Sequence, residues 1–122
     1  MSPAKRLWIT RKPATATQRS PSKAPTIRYP SGRCVAVAGF RVIHNLFSGD
    51  TLYVDDLSTL PDARGRGHGR ALLEWCKEEG ARQGCAEFHL DSGVGPERED
   101  AHRLYFNTGL RITSYHFAAP LE

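Results

Sequence analysis

The sequence predicts a single α/β domain built on a mixed, mostly antiparallel sheet flanked by helices. Three observations predict it. From Cys34 onward, apolar β-rich runs and helical repeats follow in the order strand, strand, helix, strand, helix, strand. Glycines stand where the two helical patterns stop, at Gly84 and Gly109. Between the second strand and the first helix, LPDARGRGHGRALLEW runs from a turn through three alternate glycines straight into a helical repeat.

The elements follow in order. Cys34–His44 is apolar and β-rich, Thr51–Ser58 is a second strand pattern, and Asn45–Asp50 between them reads as a hairpin loop. Leu72, Leu73, Cys76 and Ala81 keep helical spacing up to Gly84. Cys85–Leu90 alternates, with Ala86, Phe88 and Leu90 on one face and Cys85, Glu87 and His89 on the other. Asp91–Gly95 is a loop. Pro96 at a first helical position, with Glu97, Glu99 and Asp100 behind it, starts the second helix. Ala101, Leu104, Tyr105 and Thr108 form its inner stripe, and Leu110–Phe117 reads as a last strand.

Length and charge divide the chain. Its 122 residues suit one small domain. Residues 1–33 carry eight Lys/Arg and no acid, so the remaining nine basic residues (17 − 8) face all thirteen acids. Residues 34–122 are therefore mildly acidic, and residues 1–33 form a basic arm rich in Pro, Ser, Thr and Lys that is expected to be loosely ordered. Within the arm, Leu7-Trp8-Ile9 and Thr26-Ile27-Arg28-Tyr29 are the stretches able to pair as short strands. A basic arm is suited to nucleic acid or an anionic surface, although a solvated tail is favoured here. No apolar run reaches the roughly 18 residues of a membrane span, which leads us to expect a cytoplasmic protein. Cys34, Cys76 and Cys85 are odd in number and lack metal-type spacing, so free thiols and no metal are expected.

The glycine stretch admits few readings. Arg64-Gly65-Arg66-Gly67-His68-Gly69 brings its third glycine one residue early for a dinucleotide fingerprint. It also lacks the G-K-[ST] ending of a nucleoside-triphosphate loop. A strand before it and an amphipathic helix after it argue against a flexible tether. What remains is a row of backbone N–H groups at a helix N-terminus, where the helix dipole favours an anion. Glycines let that backbone approach a diphosphate closely. Arg64, Arg66 and Arg70 add charge, and His68 contributes its backbone N–H.

These residues carry a resemblance. Arg64-x-x-Gly67-x-Gly69 matches the R/Q-x-x-G-x-G/A signature of the GNAT superfamily of N-acetyltransferases, which holds the pyrophosphate of coenzyme A. LYVDDLSTLPDARGRGHGRALLEW resembles that family's central strand, loop and helix. CAEFHLDSG is similar to its following strand, and AHRLYFNTGLRITSYHF to its second motif. The resemblance covers residues 34–122. It implies acetyl-CoA as cosubstrate and an amine as acceptor. It also implies that the main chain of Leu57 and Thr59 pairs with the pantetheine arm, with a bulge near Ser58, and that Gly65, Gly67, Gly69 and their neighbours hold the pyrophosphate. Tyr105 matches the tyrosine that serves many members as general acid. Asp55 takes the position from which an acidic residue reaches toward the acceptor amine, as base or orienting group, while Asp56 is expected to pair with Arg or a backbone N–H.

The resemblance thins at the start of the chain. The family opens with a strand and two helices that wall the acceptor pocket, and residues 1–33 show no amphipathic helical pattern. The expectation is thus an N-acetyltransferase working by direct attack in a ternary complex, with its usual N-terminal helices weak or missing. A coenzyme-binding interaction module and a nucleic-acid-associated protein acting through the arm are the alternatives. Homodimerisation through the exposed sheet is expected in the first two cases.

Overall fold

The computed structural model describes residues 8–13, 23–46 and 49–121. The chain forms two compact units, Met1–Leu90 and Asp91–Glu122.

The first unit is a five-stranded sheet with one helix. Its strands are β1 (Trp8–Pro13), β2 (Lys23–Arg28), β3 (Cys34–Ile43), β4 (Thr51–Thr59) and β5 (Glu87–Leu90), in the spatial order β1-β2-β3-β4-β5. Neighbours from β1 to β4 are antiparallel, and β5 runs parallel to β4. A parallel pair needs a crossover, supplied here by helix α1 (His68–Arg82). The sheet is therefore mixed and mostly antiparallel, as the pattern predicts. It also starts earlier than residue 34. Trp8 opposes Arg28 and Ile9 opposes Ile27, so the two strand-competent stretches of the basic arm do pair. Ile27 is fully buried. Leu7 and the other arm positions in 1–7 and 14–22 lie outside the described residues.

The core lies between the sheet and α1. Ile27, Ala36, Ala38, Phe40, Leu52 and Val54 from the strands join Leu72 and Cys76 from the helix. Leu72, Leu73 and Cys76 are buried as their spacing predicts, but Ala81 is exposed, and Glu79 and Gly80 are buried instead. The reason is contact distance. At Gly80 an added Cβ would stand 3.3 Å from the Leu52 side chain, so the helix touches β4 there and turns Ala81 outward. Burying Glu79 would be costly unpaired. Its carboxylate accepts from Arg82 at 2.6 Å and from Gln83 at 3.1 Å. Leu72 has no exposed surface, so Leu72→Ala should cost about 3 kcal/mol of stability. Chemical denaturation checks this, and a loss near zero would mean the site collapses or is not core.

α1 ends where its glycine predicts. Gly84 adopts φ +78°, its N–H bonds the Ala81 carbonyl, and the Cys85 N–H reaches back to Gly80. That pair of bonds satisfies otherwise orphaned carbonyls.

The second unit contains a 3-10 turn, Pro96–Arg98, and helix α2, Glu99–Asn107. Pro96 opens this helical segment as expected, but as a tighter turn. Ala101, Leu104, Tyr105 and Thr108 form the half-buried stripe. Gly109 ends α2 at φ +91° by the same device, with Gly109 N–H on Phe106 and Leu110 N–H on Tyr105.

The expected last strand, Leu110–Phe117, is not a strand. Among the described residues it pairs with no other segment, and Ile112, Tyr115 and Phe117 are exposed. Alternation gives a segment strand propensity, but a strand exists only against a partner edge.

Candidate functional site

The expected binding elements meet at the end of β4. β5 accompanies β4 only from Thr51 to Val54, so among the described residues Asp55–Thr59 has no strand on that side. On its other side β4 stays paired with β3, where Leu57 opposes Ala38, Ser58 opposes Val37 and Thr59 opposes Ala36. The half-strand whose main chain is expected to receive the pantetheine arm is thus an open edge.

The bulge is not at Ser58. Phe40 opposes Val54 and Gly39 opposes Asp56, leaving Asp55 as the extra residue. A two-against-one pairing interrupts the alternation of side chains, and Asp55 and Asp56 are both exposed. The Asp55 carboxylate accepts from Arg41 Nε at 3.1 Å, and Arg41 lies 5.4 Å over the Tyr53 ring. Asp56 accepts from the Ser58 hydroxyl at 3.0 Å, in place of the Arg or backbone N–H expected.

One residue beyond β4, Pro61–Ala63 makes a 3-10 turn that pins the chain through buried Ala63. The Leu60 N–H bonds the Val35 carbonyl at 2.8 Å. Arg64 turns back and donates Nε to the Thr59 carbonyl. Gly65 and Gly67 then take φ +75° and +81°, a region costly for side-chain-bearing residues. A Cβ at either would meet nothing within 4 Å, so the protein leaves open space there and glycine is required by backbone conformation. Gly67 precedes α1 and supplies no side-chain cap. The Ala71 N–H is the first to find a helical acceptor, at the Gly67 carbonyl, which leaves those of His68, Gly69 and Arg70 facing the helix entrance. Arg64, Arg66 and Arg70 are exposed around it, with Arg70 bonded to Glu74. Open backbone donors, a helix dipole and guanidinium groups fit a diphosphate.

His68 keeps its backbone N–H at this entrance while its side chain turns inward. Its ring is buried, with Nε2 3.1 Å from the Tyr29 hydroxyl. Burial, and secondarily the charge of Arg66, hold its pKa below the usual imidazole value.

In the second unit, Tyr105 is half-buried on α2, and burial raises its phenol above the usual value against a smaller opposing effect of Arg98. His102 on the same helix lies within 2.8 Å of the Gly93 carbonyl and 3.0 Å of the Ser92 hydroxyl. His89, in the first unit, is exposed beside Glu87. The cysteines are free thiols, and burial together with Glu79 pushes Cys76 up to about 12. Among the described residues no group of three or more His, Cys, Asp and Glu side chains is placed to hold a metal ion. None of the helices they form is long and apolar enough to cross a membrane.

A mixed sheet whose central strand parts from its neighbour, followed by a glycine loop at a helix entrance, is an acetyltransferase-type α/β fold. An aminoglycoside acetyltransferase from an uncultured soil metagenomic sample shares it with a TM-score of 0.76 at 25% identity, over 87% of this chain and 69% of that one. Residues 3–109 match the acetyltransferase (GNAT) family, and the chain belongs to that family. It is 33% identical over 78 residues to an uncharacterized N-acetyltransferase of Bacillus subtilis, covering 63% of this chain and 54% of that protein. It is 32% identical over 68 residues to the aminoalkylphosphonate N-acetyltransferase of Salmonella typhimurium, covering 56% and 43%. The chain spans about half the length of these curated relatives.

Tyr29, Arg33, Arg41 and Asp62 escaped the sequence reading. Each acts through a partner distant in sequence, and no local signal marks it.

Proposed function

We propose that this protein transfers an acetyl group from acetyl-CoA to a primary amine by direct attack in a ternary complex. The observation that carries the proposal is the glycine loop at the entrance of α1, directly after the open half of β4. In this reading the main chain of Gly65–Arg70, with Arg64, Arg66 and Arg70, holds the diphosphate. The free edge at Leu57–Thr59 receives the pantetheine arm.

The amine nitrogen attacks the thioester carbonyl, a C–N bond forms, the C–S bond breaks, and the thiolate leaves with a proton from Tyr105. The raised phenol pKa keeps that proton in place at neutral pH. Asp55 orients the amine. Direct abstraction is poorly matched, since an alkylammonium near ~10.4 and a carboxylate near ~3.9 are far apart. A water relay carries the proton away.

Two of the relatives are named for an aminoalkylphosphonate and an aminoglycoside as acceptors. Both are small amines, which supports a small-molecule acceptor. Thiol release from acetyl-CoA against a panel of small primary amines tests the proposal. Saturable release with any of them is expected, and a folded chain that binds acetyl-CoA yet releases thiol with none would reject it. Asp55→Asn should raise the acceptor KM about tenfold and leave coenzyme affinity unchanged. An unaltered acceptor KM would remove Asp55 from the site.

A further inference from the structure

We propose that the β2–β3 turn, Tyr29–Arg33, braces the glycine loop from both ends, with Tyr29 and His68 as positioning residues for coenzyme binding. The inference rests on reading that loop as the coenzyme site.

The loop between Asp62 and His68 is fastened to one small turn on either side. Before it, Arg33 Nη2 lies 2.9 and 3.0 Å from the two carboxylate oxygens of Asp62. After it, the His68 ring meets Tyr29 edge-on, with centroids 5.8 Å apart, and Nε2 lies 3.1 Å from the hydroxyl. The turn is itself closed by bonds from Tyr29 N–H to the Arg33 carbonyl and from Gly32 N–H to the Tyr29 carbonyl. Both fasteners therefore share one rigid origin.

The two are unequal. The Arg33–Asp62 pair is half-exposed and weak for that reason. His68 is 3% exposed, and its Nδ1 is buried with no partner among the described residues. A proton on Nδ1 would be buried unpaired, so the favoured tautomer carries it on Nε2 and donates to the Tyr29 oxygen. The ring is thus neutral and fixed in one orientation. It belongs to the first residue of α1, next to Gly67.

Loops with two positive-φ glycines have many conformations to lose on binding. Holding both ends lowers the ordering cost that would otherwise be taken from affinity. The brace predicts an effect on coenzyme binding by already folded protein.

The test is a double-mutant cycle of Tyr29→Phe and His68→Phe, read by calorimetric titration with acetyl-CoA. Tyr29→Phe removes one oxygen and keeps the ring, so folding survives. It should weaken acetyl-CoA binding about fivefold, the worth of one such hydrogen bond, and leave kcat at saturating coenzyme within about twofold of wild type. The double variant should bind no worse than His68→Phe alone. His68→Gln, whose amide nitrogen replaces Nε2 as donor, should keep most of the wild-type affinity. Unchanged affinity in Tyr29→Phe, or lower thermal stability with unchanged affinity, would overturn the brace. So would effects that multiply independently in the double variant. Absence of acetyl-CoA binding by folded wild type would instead overturn the coenzyme reading, and the inference with it.

Discussion

Tyr105→Phe is expected to cut turnover tenfold or more while acetyl-CoA affinity barely moves. General acids contribute on the order of a hundredfold or more when the leaving group needs its proton in the transition state. A thiol near ~8.5 is a better acid than a phenol near ~10, so a free thiolate would take a phenol's proton only weakly. A buried phenol is set higher still. Its value as an acid therefore lies in being fully protonated and positioned. Phe keeps the half-buried ring on the Ala101–Thr108 stripe and removes only the hydroxyl, so α2 should survive. Steady-state kinetics at saturating coenzyme checks the prediction, and unchanged turnover would reject the acid role.

The second large effect is expected at Gly67. Its φ of +81° is strained for any side chain and worst for a β-branched one. Gly67→Val should cost about 1–2 kcal/mol if the backbone holds its conformation. If the backbone relaxes, the N–H groups at the helix entrance turn away, and charge-assisted bonds worth about 1.5–3 kcal/mol are lost. That loss amounts to roughly ten- to a hundredfold weaker acetyl-CoA binding. The added Cβ would meet nothing within 4 Å, so the loss of stability stays within that backbone strain. A large fall in affinity in a variant that still unfolds cooperatively is the signature to look for. A variant that binds as tightly as wild type would remove this loop from the site.

Why the sequence revealed some of this and not the rest is a question of range. Gly84 and Gly109 mark helix ends because the left-handed region penalises a Cβ, a property of one residue. The strands and α1 were legible through periodicity, which spans a few residues. The bulge was misplaced by three positions, because Asp55 becomes the extra residue only through its register against Phe40 and Gly39. Tyr29 and His68 are 39 positions apart, and no local pattern pairs them. Thr26–Tyr29 read as strand-competent, but the strand runs back to Lys23 because a paired neighbour on each side holds it there. Leu110–Phe117 shows the converse, since among the described residues its alternation finds no partner strand. The burial of Glu79 has no local signal, because it depends on how close Gly80 lets the helix come to Leu52.

The claim that carries the account is that the bare backbone between β4 and α1 holds the diphosphate of acetyl-CoA. Calorimetric titration of the purified chain with acetyl-CoA, beside an Arg64→Ala/Gly67→Val double variant, tests it most directly. Saturable one-to-one binding by the wild type, lost in a variant that still unfolds cooperatively, is the predicted result. A folded wild type that takes up no acetyl-CoA, or a double variant that binds it equally well, would contradict the account.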